Sequence, residues 1–458
     1  MSKGRYSIDM TTGRLLPKLI SFTIPLMLTG LLQIVYNAAD VMVVGRFAGS
    51  LSLAAVGATS SLVHLSLNIF LGIATGSGVV AAKHIGSGST SNVHRTVHTS
   101  MLLAVISGII IAAAGFCLSP LALRAMDIPD DVFPLSVTYL RIFFLGTPAS
   151  MLYNFGAAML RATGDSKRPL YILTFTGIVN VVLNLIFVIF FKMNVSGVAL
   201  ATIISQLISA ILVIYILINA NSVIRLSVRK LRLYKEELLD IIKIGIPMGI
   251  QASLFSLSNV IIQSSINSFG AAAIAGNTAA SNIDSVIHVC CNSVSQTATT
   301  FTSQNYGAGQ IKRIRRIYFN CVGLTVTIAA ICCVFLLTFG TQVLGVFSTD
   351  PAVIEMGLVR IKLFAVTYFF NSILDVTTGQ MRGLGKSITP MIVTMAGVCG
   401  LRVLWVYTVF QAYRSMQVLY LSYPVSWAVT GAILLVMYII TFRKISKRSE
   451  ENEVTCAG

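Results

Sequence analysis

The stretch Arg161-Ala-Thr-Gly-Asp-Ser-Lys-Arg-Pro169 returns later in the chain as Arg382-Gly-Leu-Gly-Lys-Ser-Ile-Thr-Pro390. Arg161, Gly164, Ser166 and Pro169 meet Arg382, Gly385, Ser387 and Pro390, all at an interval of 221 residues. Gly86, Gly88 and Arg95 recur at the same interval as Gly307, Gly309 and Arg316. Nearer the start of each half, Pro25, Asn37 and Phe47 recur as Pro247, Asn259 and Phe269 at an interval of 222. Coincidences among leucines and alanines would mean little in so apolar a chain. Glycine, proline and arginine returning at one spacing mark a duplicated structural unit.

The material around these repeats is membrane-like. Of 458 residues, 55% are hydrophobic and 11% charged, with a mean hydropathy of +0.83. Soluble domains carry roughly 25% charged residues. Crossing the hydrocarbon takes about 20 apolar residues, and runs of that order fall at 15–39, 52–80, 96–118, 133–157, 169–191, 197–219, 239–265, 273–300, 317–339, 354–378, 389–410 and 417–442. The second and eighth are long and dotted with polar residues. The fold predicted is all-α integral membrane, with twelve transmembrane helices in two six-helix bundles. Six spans per half give both halves one orientation, so a pseudo-twofold along the membrane normal should relate them. The expected division is 1–219 for the first bundle, 220–237 for a cytoplasmic linker, and 238–458 for the second bundle with a short basic tail.

A net charge of +17 raises the question of nucleic acid, but its distribution argues against that partner. With both termini cytoplasmic, the inner segments hold 24 of the 33 Lys and Arg. Lys3, Arg5, Arg14 and Lys18 open the chain, Arg225, Arg229, Lys230, Arg232 and Lys235 lie in the linker, and Arg443, Lys444, Lys447 and Arg448 follow the last span. The outer loops hold Arg46, Arg124, Lys192 and Arg414, and five more cations lie in or at the ends of helices. This is the positive-inside pattern, with basic segments beside anionic lipid. The N-terminus is polar through Thr12 and lacks a short apolar run with a small-residue cleavage site, so no cleaved signal peptide is expected. The cysteines, including Cys290–Cys291 and Cys332–Cys333, have no metal-ligand spacing and read as small packing residues. Gly86-Ser-Gly88 and Gly307-Ala-Gly309 follow no strand and precede no Lys-Ser/Thr, so they are turns between helices. No ATP-hydrolysing motif is present, and an ion gradient would supply the energy.

Ionisable groups inside spans are costly, roughly 2.5–3.5 kcal/mol for a mid-bilayer carboxylate, and mark function by default. Gln33, Tyr36, Asn37 and Asp40 share one face of the first helix by their spacing. A carboxylate beside amide and phenol oxygens suits protonation or a hard cation such as Na⁺. It equally suits a satisfied polar residue near the helix end. Pro25 removes a backbone hydrogen bond and can kink the same helix, as a gate or as a static bend. Asn180 and Asn184, one turn apart on the fifth helix, complete the Asp40 site if they face it; otherwise they join helices. In the second half, Asn277, Ser281, Asp284 and His288 share one face of the eighth helix, and Asn371, Asp375 and Thr378 one face of the tenth. Gln251 sits in the seventh. Arg402 lies well inside the eleventh, and burial predicts that it pairs with Asp375 or Asp284, for structure or for coupling.

Tyr36-Asn-Ala-Ala-Asp40 followed by Val-Gly45-Arg-Phe resembles the first helix of the multidrug and toxic compound extrusion (MATE) family. The Arg161-to-Gly164 and Arg382-to-Gly385 turns resemble the family's paired loops, and the likeness covers essentially the whole chain. The resemblance implies an antiporter of the bacterial plasma membrane that expels drugs or toxic organic cations in exchange for H⁺ or Na⁺, without a cofactor. It implies cation coupling at Asp40, a partner position at Asn180, and a bending proline at Pro25. The NorM-like branch carries a glutamate in the seventh helix. Here that region reads Pro247-Met-Gly-Ile-Gln251 without an acid, and the branch's tenth-helix aspartate falls at Asn371, so the chain looks closer to the DinF-like exporters. The expected function is secondary active efflux of cationic or amphipathic small molecules by a monomer. The alternative is a flippase for lipid-linked saccharides of the same superfamily, which would call for more spans and a more cationic interior. No constellation for an enzyme is found.

Overall fold

The computed structural model describes residues 7–457, with side chains through Glu451. Lys3 and Arg5 of the basic opening segment lie outside the described residues. These fold into helices alone, without a strand among them. Twelve rods succeed one another in chain order: α1 (Leu15–Ala48), α2 (Ser50–Gly86), α3 (Thr90–Arg124), α4 (133–162), α5 (Lys167–Phe190), α6 (Asn194–Ile218), α7 (Lys235–Asn267), α8 (Ala271–Gly307), α9 (Ile311–Gly345), α10 (Pro351–Gly383), α11 (Ile388–Ala412) and α12 (Met416–Ala457). Each expected span coincides with one rod, the fifth and sixth overrunning its end by one residue. Nine are long and apolar enough to cross a bilayer, ten with α4. The other two, α8 and α10, carry more hydroxyls and amides, and those groups are used in their contact with each other. Ser295 Oγ on α8 donates to the Asp375 carbonyl at 2.6 Å, and Thr299 Oγ1 donates to the Gly379 carbonyl at 3.0 Å.

Local breaks have local causes. The α4 rod bends by 45° between Phe133–Leu145 and Thr147–Ala162. Pro148 has no N–H for the Phe144 carbonyl. The Thr147 hydroxyl donates to that carbonyl instead, at 2.7 Å. The repeated glycines are explained by backbone conformation: Gly88 and Gly309 sit at φ +72° and +69°, Gly164 and Gly385 at +88° and +76°. Side chains with a Cβ rarely adopt that region. The change of interval from 222 to 221 also has a structural seat. Asn37 to Gly49 is one residue longer than Asn259 to Gly270, and α1 ends in a π-helical turn, Val44–Ala48, whereas α7 is α-helical through Asn267. A π turn is the standard way a helix absorbs one extra residue.

The helices form two compact units. One holds the chain up to Asp9 together with Ile24–Gly249, the other Met10–Thr23 together with Ile250–Gly458. The same packing pattern recurs in each: α2–α3, α2–α4, α3–α4, α4–α6 and α5–α6 in the first, α8–α9, α8–α10, α9–α10, α10–α12 and α11–α12 in the second. The boundaries differ from the 219 and 238 expected from sequence, because each half's first helix begins in the other unit. In the first unit the start of α7 lies against α2. A Cβ on Gly72 would stand 2.4 Å from the Gly249 nitrogen, and one on Gly76 2.7 Å from the Gly245 nitrogen. In the second unit, at the matching positions, Thr23 Oγ1 is 2.8 Å from Thr297 Oγ1, and the Phe22 and Phe301 rings meet edge to face with centroids 5.6 Å apart. The stretch 220–237 belongs to the first unit rather than standing free. The buried His98 ring donates from Nδ1 to the His94 carbonyl at 2.7 Å, leaving Nε2 to accept from the Ser227 N–H at 3.1 Å. Thr99 Oγ1 accepts from the Tyr234 N–H at 3.1 Å.

Small residues let backbones approach closely where lipid offers no hydrophobic driving force. Gly72→Leu is therefore expected to destabilise the protein by about 1–3 kcal/mol through overpacking. Gly57→Ala serves as the control, since its Cβ would meet nothing within 4 Å. Thermal unfolding of the purified protein in detergent checks this; equal midpoints for the two variants would refute the close approach.

Candidate functional site

On α1, the four polar residues that share a face by spacing divide in their contacts. Tyr36 lies on α5: a Cβ at Gly177 would stand 1.9 Å from the ring's Cζ, and the hydroxyl donates to the Thr174 carbonyl at 3.2 Å. The phenol anchors α1 to α5 and does not bond to Asp40. Gln33 and Asn37 are exposed. Asp40 does meet the fifth helix. Its Oδ1 accepts from Asn184 Nδ2 at 2.5 Å, and Asn180 Oδ1 is 3.4 Å from that same nitrogen. Both amides are buried, Asn184 to 1% exposure.

Asn184 Oδ1 is buried without a hydrogen-bond partner. An orphaned acceptor of this kind costs on the order of 1–3 kcal/mol. Beside a carboxylate and a second amide oxygen, it makes an oxygen-rich group suited to a proton or a hard cation. Tyr139 of α4 stands within electrostatic reach of Asp40. Sequence reading missed this tyrosine, since nothing in its local spacing points to α1. The π turn Val44–Ala48 begins one helical turn past Asp40, and such turns are frequent at functional sites. Pro25 lies within α1, which stays helical through it, and Thr29 Oγ1 donates to the Pro25 carbonyl at 2.7 Å.

The second-half polar residues separate into distinct groups. Arg360 of α10 donates from Nε to Asp284 Oδ2 at 2.8 Å and from Nη1 to Asn277 Oδ1 at 2.5 Å. Tyr420 Oη donates to the same Asn277 oxygen at 3.0 Å, and Asn277 Nδ2 donates to Gln263 Oε1 at 2.9 Å. Asp375 accepts from Asn371 Nδ2, one turn away, at 3.2 Å. Gln251 accepts from Arg382 Nη2 at 2.8 Å. His288 is exposed, within electrostatic reach of Asp284 and Asp375.

The expected pairing of Arg402 with Asp375 or Asp284 is corrected. Arg402 donates from Nε to Ser426 Oγ at 3.1 Å, and its guanidinium lies 4.1 Å from the centroid of the Tyr423 ring and 5.7 Å from that of Trp427. The reason is register. A π stretch at Met395–Gly400 precedes Arg402. One extra residue turns the rest of the helix by about 100°, toward α12. The partner of Asp284 is Arg360, one of the five cations in or at the ends of helices. The signal that would have found it is its place nine residues into α10, too deep for the helix end. Among the described residues, no group of three or more His, Cys, Asp or Glu could hold a metal ion.

Two units of repeated helix packing, with ionisable groups buried among membrane-length helices, define a duplicated membrane transporter. The chain belongs to the MatE family: the family model matches twice, at residues 25–186 and 247–408, the two copies again 222 apart at both ends. It is 28% identical over 394 residues to a probable multidrug resistance protein of Bacillus subtilis, YpnP, covering 86% of this chain and 88% of that one. It is 26% identical over 434 residues to a second from the same organism, YoeA, covering 92% and 93%. Among solved structures, an outward-facing multidrug resistance MATE family transporter of the MOP superfamily superposes with a TM-score of 0.91 at 20% identity, over 98% of this chain and 100% of the other. That last likeness bears on the fold alone.

Breaking a buried ion pair by removing one partner leaves the other charge uncompensated, at about 3–5 kcal/mol. Asp284→Asn is expected to destabilise the protein on that scale. The double replacement Asp284→Leu with Arg360→Met is expected to restore most of the loss. A double-mutant cycle of detergent unfolding free energies measures this, and additive losses would show that the two residues act separately.

Proposed function

We propose that this chain is a secondary active exporter of cationic or amphipathic small molecules, driven by H⁺ or Na⁺ entering at Asp40. The observation that carries the reading is the Asp40–Asn184 contact, with a buried, unpartnered amide oxygen on Asn184 and the Asn180 oxygen 3.4 Å from its nitrogen. An ionised carboxylate facing hydrocarbon is unfavourable. Protonation or a bound cation removes the charge, and the group then has a reason to prefer a different surrounding. That differential preference is what couples an ion to a conformational equilibrium.

The drug-resistance names of the Bacillus subtilis relatives support small-molecule export over the lipid-linked saccharide alternative. The concentration of Lys and Arg on one set of loops supports an inner-membrane orientation with both termini cytoplasmic. In that orientation Asp40 lies in the outer half of α1. Pro25 serves the coupling as a hinge: its missing N–H leaves the Ser21 carbonyl without a helical donor, so α1 bends there more easily than elsewhere. Two residues before Pro25, α1 passes from one compact unit into the other.

Asp40→Asn keeps the shape and removes the titration. It is expected to abolish gradient-driven ethidium efflux from cells, by more than tenfold, while the protein reaches the membrane in normal amount. Asn184→Ala is expected to act in the same direction. Normal efflux by the Asp40→Asn protein would overturn the assignment. Proteoliposomes under an imposed pH or Na⁺ gradient identify the ion.

A further inference from the structure

The second unit buries more positive charge than its carboxylates answer. Arg360 and Arg402 both lie deep among α8, α10, α11 and α12, at 8% and 5% exposure. Arg360 is committed: it holds Asp284, donates to Asn277 and lies 4.8 Å from the centroid of the Phe364 ring. Arg402 is not. Its one hydrogen bond runs from Nε to Ser426, and its two Nη groups find no protein acceptor among the described residues. Tyr423 and Trp427 flank the guanidinium with their ring faces. Cation–π contacts offset part of a charge's burial and leave the planar pair of Nη donors without an acceptor.

The repeat explains why no carboxylate answers it. Counting the extra residue of the π stretch in α11, Arg402 stands 222 residues from Asn180, in register with both ends of the family match. The counterpart of Asp40 at that interval is Ile262, which is buried in the apolar core of the second unit. A position that holds an amide beside an acid in the first half thus holds a guanidinium without one in the second. A planar fork of N–H donors recognises carboxylate or phosphate oxygens in bidentate fashion. Aromatic faces on its flank suit a flat ring attached to that acid.

We infer that Arg402, with Tyr423 and Trp427, is the receptor for the acidic group of an aromatic anion or zwitterion carried by this protein. The inference rests on the export reading and narrows its substrate class. The acid docks on the Nη edge, the ring stacks beside Trp427, and Ser426 holds the guanidinium plane.

Calorimetric titration of the purified full-length chain in detergent tests the site, with 2-naphthoate, 2-naphthamide and 2-naphthylmethylammonium as probes. The carboxylate is expected to bind saturably and at least tenfold tighter than the other two. Arg402→Gln is expected to remove that tenfold preference, and Arg402→Lys, which keeps the charge without the fork, to lose part of it. Should Arg402→Gln fail to fold, the lysine variant and the comparison of probes on the unaltered protein still decide. Equal affinity for the three probes, no binding of naphthoate, or an unchanged preference in the arginine variants would overturn the proposal. Naphthoate binding in detergent is measured without a gradient, whereas the coupling reading is tested by gradient-driven efflux, so failure of one and failure of the other are read separately.

Discussion

Hydrocarbon neither donates nor accepts hydrogen bonds, and every polar group placed in it must be answered from within the protein. The need is visible at each irregularity. Where Pro148 withholds an N–H, the Thr147 hydroxyl supplies the missing donor. Where α8 carries serines and threonines, the carbonyls of α10 receive them. Where Asp284 is buried, Arg360 meets it. Some buried polar atoms in each unit are left without a protein partner, Asn184 Oδ1 and Asp284 Oδ1 among them, and the Nη groups of Arg402 meet no protein acceptor among the described residues.

Much of the fold was legible because the constraints that fix it are local. A left-handed backbone at Gly88 and Gly309, and again at Gly164 and Gly385, admits few residues besides glycine, so the repeat shows in the letters. Span length is set by bilayer thickness, and each expected run matches one rod to within a residue at its end. Asp40 was legible for the same reason: a lone acid in an apolar helix is conspicuous wherever it lands, and the spacing of Asn180 and Asn184 gave one face on which to meet it.

Other features depend on pairs of residues far apart in the chain. Gly245 and Gly249 look like ordinary small residues until Gly72 and Gly76 are seen against them. Tyr36 shares a helical face with Asp40, yet the absence of a side chain at Gly177 draws its ring onto α5. Arg402 was assigned to the wrong partner because a π stretch carries no signature in composition. One added residue rotates a side chain by about 100°, which is enough to exchange an aspartate for a pair of aromatic rings.

The same register that reveals the duplication also measures its divergence. Asp40 faces Asn184 in the first half, and the matching place of the acid in the second is Ile262. Tyr139 stands near Asp40, and its counterpart 221 residues on is Arg360, which has acquired an acid of its own in Asp284, where the first half has Val63. Such exchanges leave the helix packing intact, since the same pairs of helices touch in both units. They alter only what the packing surrounds. A repeated scaffold gives two units built alike, because the same pairs of helices touch in each. An ion and a cargo need unlike chemistry, and that depends on a handful of interior side chains. On the function proposed above, duplication followed by substitution at those few positions lets one fold meet both demands, with an oxygen-rich group in the first unit and a cationic one in the second.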